Sequence, residues 1–218
     1  MTRSIQGKKP GPGTDSPILP PIAEVHHSDS ALIENQIIVY LGFEDPQHVI
    51  DYLAPFSDFQ FLYYGPFERA EQRGHIQLKP LSRDAFKQDL AASAGVICNA
   101  GFELGSEAIQ LGKKLLVKPL QGQMEQLSNA LALEKLGLGM SMDTLDRTVL
   151  EQWLSDWQGK KVVYPNVARS IVQWISQGEW MDEGKRLAMI EALWQQTDGS
   201  GVSAFEDSRL PALVPATV

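Results

Sequence analysis

Six times along the chain, a short apolar run rich in β-branched residues alternates with a stretch whose apolar residues recur at three- and four-residue spacing. No other feature limits the fold so tightly. Strands that alternate with helices must return by crossovers, and crossovers give parallel sheets covered by helices on both faces. The strands expected are Ile37–Leu41, Phe59–Tyr64, His75–Lys79, Gly95–Cys98, Leu115–Lys118 and the short Gly139–Met142. The first is a continuous Ile-Ile-Val-Tyr-Leu, the pattern of a strand buried on both faces. Helices are expected from Asp45-Pro46, where Asp can cap and Pro suits the first turn, and from Ser82 to about Ala92. Others are expected at Phe102–Leu111, Met124–Leu136, Arg147–Trp157, Asn166–Gln177 and Asp182–Gln196. The fold class is therefore α/β, a doubly wound six-stranded parallel sheet of Rossmann-like type. Right-handed crossovers favour the strand order 3-2-1-4-5-6. In that order the first and fourth strands are neighbours, so the loop Gly42-Phe43-Glu44 and the turn Ala100-Gly101-Phe102 flank one crevice at the carboxyl edge.

The second of those loops carries the chemistry. Residues Cys98 to Glu107 read CNAGFELGSE, a strand end, a glycine turn and the first turns of a helix. Such a junction presents free backbone N–H groups and the positive end of a helix dipole. An anion suits that place, most often a phosphate. Glu107, further along the same helix, could accept hydrogen bonds from sugar hydroxyls, and phosphate with ribose means a nucleotide. The spacing by itself supports Gly101, Phe102 and Glu107 in these roles. It equally fits a ligand-free turn with Glu107 as a solvated or capping residue.

Size allows one well-buried domain with extensions, since 43% of the 218 residues are hydrophobic. Residues 1–34 are rich in Gly, Pro and Ser and read as a flexible arm or interdomain linker. Residues 35–196 form the domain, and 197–218 an irregular tail. The net charge is −8, and no basic cluster exceeds the pairs Lys113-Lys114 and Lys160-Lys161, so a nucleic-acid partner is not expected. Cys98 is the only cysteine, which rules out an internal disulfide framework and fits a reducing compartment. It reads as a small core residue, because no His or Asn is placed to activate it. No stretch approaches the ~20 apolar residues that span a bilayer, and Met1 to Pro12 lack the apolar core of a signal peptide. A cytoplasmic protein is expected, peripheral to a membrane only through a partner. His26 and His27 are adjacent and read as exposed, His48 as a helix-surface residue, and His75 as the opening of a strand. Trp153 and Trp157, four apart, share a helix face and read with Trp174, Trp180 and Trp194 as core, or as a surface for a partner domain.

From about Ile37 to Trp174 the chain resembles the carboxyl-terminal, donor-binding domain of GT-B glycosyltransferases. The residues that carry the likeness are CNAGFELGSEAIQLGKKLLVKP followed by QGQMEQLSNALALEKLGLG. They are similar to the bacterial transferases that add N-acetylglucosamine to lipid-linked muramyl-pentapeptide, and to uncharacterised relatives. The resemblance implies that backbone groups of Gly101, Phe102 and Glu103, with the loop Gly42-Phe43, hold a donor diphosphate. It implies that Glu107 grips the ribose, that a main-chain group of Leu81 recognises the base, and that Gln121 and Gln126 approach the donor sugar. The donor implied is a nucleotide-sugar, UDP-linked, with no further cofactor and no metal.

The sequence departs from the pattern at Phe102, where the lipid-linked sugar transferases have a small residue, and at the acidic Glu103 in the phosphate region. The resemblance covers only the donor half. It implies an acceptor half elsewhere, as an amino-terminal GT-B domain or a separate subunit, and it names no catalytic residue here. The function expected is the donor-binding half of a glycosyltransferase, inactive without that acceptor domain. The alternatives are a nucleotide-sugar 2-epimerase-like isomerase, which shares the fold, and a non-catalytic nucleotide-sugar-binding module.

Overall fold

The computed structural model describes residues 18–23 and 31–199. Seven strands form one sheet: β1 Ile33–Tyr40, β2 Gln60–Gly65, β3 Glu71–Arg73, β4 Ile76–Pro80, β5 Ser93–Asn99, β6 Lys114–Lys118 and β7 Met140–Ser141. Their order is β3-β4-β2-β1-β5-β6-β7. All pairs are parallel except β3 with β4. Without β3 this is the expected 3-2-1-4-5-6 order, with β1 beside β5 and Tyr40 in register with Cys98.

The expectation of six strands is corrected by β3, which adds an antiparallel edge. Glu71-Gln72-Arg73 is wholly exposed and has no apolar alternation to mark it. Only the turn betrays it: Gly74, at φ 61°, is the first of two residues connecting the hairpin, a position that favours glycine. A charged, three-residue edge strand is also a poor template for unwanted pairing.

The described residues form seven α-helices, α1 Pro46–Leu53, α2 Arg83–Ala92, α3 Phe102–Gln110, α4 Met124–Leu136, α5 Arg147–Asp156, α6 Val167–Ser176 and α7 Glu183–Gln195, of which the first five pack on the sheet. Their starts are written in the sequence. Asp45, Ser82, Asp146, Asn166 and Asp182 each accept a backbone N–H from the first turn of α1, α2, α5, α6 and α7, and such a cap stabilises by ~1 kcal/mol. At its far end α4 stops on Gly137 at φ 64°, which closes the helix through Leu138 N–H to Leu133 O at 2.8 Å.

Side chains of each inner strand alternate between two cores. Ile37, Val39, Phe61, Tyr63, Ile97 and Leu116 meet α1 and α5 on one face. Ile38, Leu62, Tyr64, Val96, Cys98 and Val117 meet α2, α3 and α4 on the other. Trp153 of α5 is fully buried in the first core. It fits because residue 95 is glycine: a Cβ there would lie 2.8 Å from the Trp153 ring. Lys113 is buried beneath the second core's edge and donates to Ala91 O at 2.7 Å, and burial lowers its pKa. Ahead of the sheet, Ile18 O accepts from Trp194 Nε1 of α7 at 2.7 Å. Val163 and Asp198 exchange backbone hydrogen bonds, which ties the first residues of the expected tail to the loop before α6. His26, His27 and the tail beyond residue 199 lie outside the described residues.

Candidate functional site

The parallel strands all point their carboxyl ends the same way, so the loops that follow them collect along one edge. Gly42-Phe43-Glu44 leaves β1, Leu81 follows β4, Ala100-Gly101 follows β5, and Pro119 to Gln123 follow β6. Each residue named from the sequence for donor binding therefore lies along this edge or on a helix that starts from it. The crevice at the β1/β5 boundary is where the strand order reverses, the position at which open α/β sheets bind ligands.

The local geometry at β5 suits an anion. Gly101 is the N-cap of α3, and it makes no side-chain cap bond because it has no side chain. Its φ of −69° is ordinary, so backbone strain does not require glycine there. What the glycine provides is space: a Cβ built on it meets nothing within 4 Å. Ala100 behind it is buried, and its carbonyl accepts from Asn129 Nδ2 of α4 at 3.0 Å. Gly101 N–H donates to Asn99 O at 2.8 Å, and the first-turn N–H groups of the exposed Phe102 and Glu103 have no intrahelical acceptors.

The neighbouring helix repeats the pattern. α4 starts at Gln123, again with no side-chain cap. Of the seven helices, the two uncapped ones are those that begin along this edge from β5 and β6. Gln126 Oε1 accepts Leu120 N–H at 3.0 Å and braces the turn between β6 and α4. Gln121 is exposed in the same turn.

Glu107 is 8% exposed on α3. Burial rules out the solvated reading of this side chain, for a carboxylate withdrawn from water needs polar partners. Glu103 is exposed in the first turn, where an acidic group complements the helix dipole. Phe43, Leu81 and Phe102 present large apolar side chains to solvent, at 73%, 60% and 55% exposure. Phe43 and Leu81 come from two loops of one edge, and Phe102 from the start of α3 beside them. Tyr40, at the end of β1, packs edge-on against Phe86 of α2 with ring centroids 5.9 Å apart, and Phe86 packs in turn on Tyr64.

One element of the site escaped the sequence reading. Lys118, the last residue of β6, pairs with Glu44 in the β1 loop at 2.6 Å, and both side chains are largely buried. Asn99 at the end of β5 donates to the Lys118 carbonyl at 3.0 Å. The signal available was a lysine closing an apolar strand just before Pro119.

Other features do not compete with the crevice. A groove of about 500 Å³ lies between the start of α1 and the β2–β3 connection, lined by residues such as Pro46, Phe67, Arg69 and Arg73. None of the residues named above for donor binding lines it. Cys98 is fully buried, and burial pushes its thiol up to about 12, so it is no nucleophile. His48 is exposed, and His75 shares a hydrogen bond with Leu53 O at 3.2 Å. Among the described residues, no three His, Cys, Asp or Glu side chains gather to hold a metal ion. No described helix is long and apolar enough to cross a membrane.

Known proteins share this architecture. The solved glycotransferase of kitacinnamycin is 17% identical with a TM-score of 0.50, over 64% of this chain and 41% of its own. The glycosyltransferase SnogD from Streptomyces nogalater is 17% identical with a TM-score of 0.44, over 65% and 37%. The spinosyn rhamnosyltransferase SpnG with spinosyn aglycone is 15% identical with a TM-score of 0.45, over 87% and 50%. The chain thus spans half or less of the length of these solved structures. No curated protein matches the sequence. The glycosyl transferase family 1 profile matches residues 14–157, about two thirds of the chain, across the whole sheet and both loops of the crevice. With its GT-B-type sheet, the chain belongs to glycosyl transferase family 1.

Proposed function

We propose that the carboxyl-edge crevice binds a nucleotide-sugar, UDP-linked, and that the chain is the donor-binding half of a glycosyltransferase. The observation that carries this reading is the pair of uncapped helix starts at α3 and α4, the first opened further by the empty space over Gly101. Five other helices of the same chain end their N–H groups on a side chain. The α3 donors are exposed to water, which an arriving anion can replace.

The roles are those that the family resemblance implies. Backbone N–H groups at Phe102 and Glu103 receive the diphosphate and stabilise the charge that grows on it as the glycosidic bond to phosphate breaks. Gly42 and Phe43 close the other side of the crevice. Glu107 takes the ribose hydroxyls, the Leu81 main chain the base, and Gln121 and Gln126 the donor sugar. Acceptor activation is assigned, as the family resemblance implies, to a second domain or subunit. That partner is part of the proposal.

Calorimetric titration with UDP, a UDP-sugar and ATP tests the reading. UDP and the UDP-sugar should bind competitively and ATP should not. The chain by itself should show negligible transfer. Absence of binding by both uridine nucleotides overturns the donor-site assignment, and robust transfer by the 218-residue chain overturns the need for a partner.

A further inference from the structure

We propose that Lys118 is a second recognition element for the donor's diphosphate, held ready by Glu44 and shared with phosphate when the donor arrives. The inference rests on the donor-site reading above and adds a charge that reading lacks. Phe102 and Glu103 supply only neutral backbone donors, and the acidic side chains of Glu44, Glu103 and Glu107 all lie on this edge or on the helix that leaves it. A diphosphate brought there needs a compensating cation.

Lys118 is placed to be that cation. It ends β6, and Asn99, its register partner, ends β5, so its Cα stands one strand away from the glycine turn. Along β6, Leu116 faces the core shared with α1 and Val117 the core shared with α3. Lys118 therefore leaves the sheet on the α1 side, where Glu44 meets it from the loop after β1. β1 and β6 are not neighbours; β5 lies between them. The ion pair thus crosses the end of β5 on one side, while the chain turns into α3 on the other. An anion over the end of β5 would have amide donors on one flank and an ammonium on the other.

The pair also explains how a lysine can be kept buried. With side-chain exposures of 10% and 18%, neither charge is solvated enough to stand alone. Glu44 is itself fixed, since its N–H donates to Leu41 O at 3.1 Å and shapes the loop. Phosphate oxygens offer the ammonium the same charge-assisted bonds that the carboxylate does, and its three N–H donors let it bond phosphate while Glu44 keeps its partner.

The test uses the full chain, with UDP and inorganic pyrophosphate as probes, and thermal melts to confirm folding. Lys118→Met should weaken both ligands by about thirtyfold or more, because it removes the cation and leaves Glu44 facing the anion. Glu44→Gln should bind UDP at least as tightly as the wild type. The deciding variant is Glu44→Gln with Lys118→Met, which leaves no unpaired charge to unfold the protein. It should remain about tenfold or more weaker than wild type. Wild-type affinity in the double variant overturns the inference, since Lys118 would then do no more than neutralise Glu44. Unchanged affinity in a folded Lys118→Met chain overturns it too. A wild-type chain that binds neither probe overturns the donor-site reading, and the inference with it.

Discussion

A carboxylate taken out of water is expensive to hold, and Glu107 is 8% exposed on a helix that begins at the crevice. If its oxygens take a pair of ribose hydroxyls, Glu107→Ala forfeits charge-assisted bonds worth ~1.5–3 kcal/mol together, or about tenfold to hundredfold in UDP affinity. An unchanged dissociation constant by calorimetry removes the ribose assignment. Gly101 makes a sharper case, because its backbone is unstrained and the space over it is empty. Gly101→Val should therefore fold normally by circular dichroism and yet lose UDP binding, since the new side chain occupies the ligand's place. Binding like that of wild type would put the phosphates elsewhere. Both residues could be read from the sequence, because a strand, a glycine turn and a helical glutamate are local and lie within ten residues. The Glu44–Lys118 pair could not. Its members are 74 residues apart, and they meet only once the sheet order has placed β1 and β6 on either side of β5.

Elements were legible wherever a local chemical rule sets their ends. Asp45-Pro46, Ser82, Asn166 and Asp182 mark helix starts because each side chain can reach an amide a turn ahead. The strand order followed from crossover handedness, which leaves few topologies, together with the order favoured among doubly wound sheets. The edge strand β3 stayed hidden because it buries nothing, so no apolar period could reveal it. Packing between elements was equally silent. Gly95 looks like an ordinary strand start in the sequence, yet it stands where β5 passes under Trp153, with Ile37 and Lys114 atoms 3.1 Å from a would-be Cβ. Adding a methyl there must push the indole or the strand. Gly95→Ala should destabilise the protein by ~1–3 kcal/mol in urea unfolding, and should do so without touching the crevice directly. A midpoint equal to that of wild type would show that the Trp153 ring moves aside freely.

Across the whole molecule, phenols and one thiol set the alkaline limit. Burial raises Tyr52 and Tyr64 well above the ordinary tyrosine value, with the Asp89 hydrogen bond adding to burial at Tyr64, and it pushes Tyr63 and Tyr164 up to about 12. Cys98 is likewise pushed up to about 12. The folded chain therefore holds these protons more tightly than the unfolded chain. The stability they confer is fully present below the unfolded values, 9.0 for the thiol and 10.0 for the phenols, and is lost as the pH rises toward the folded ones. In a Tyr40→Phe background, which removes the one exposed phenol among the described residues, tyrosinate absorbance should accordingly appear above about pH 10 in one step with the loss of circular dichroism; gradual titration of that folded variant would contradict it. A different consequence comes from the bond between Ile18 and Trp194, which brings residues 176 positions apart to a single corner of the domain. The path of the described chain is nearly a closed ring. Residues 18–199, joined end to end through a short linker and cut at the exposed Gly74 turn, should fold as a circular permutant with one cooperative unfolding transition. The same closure would let another protein carry this domain as an insert, entered and left at one point on its surface.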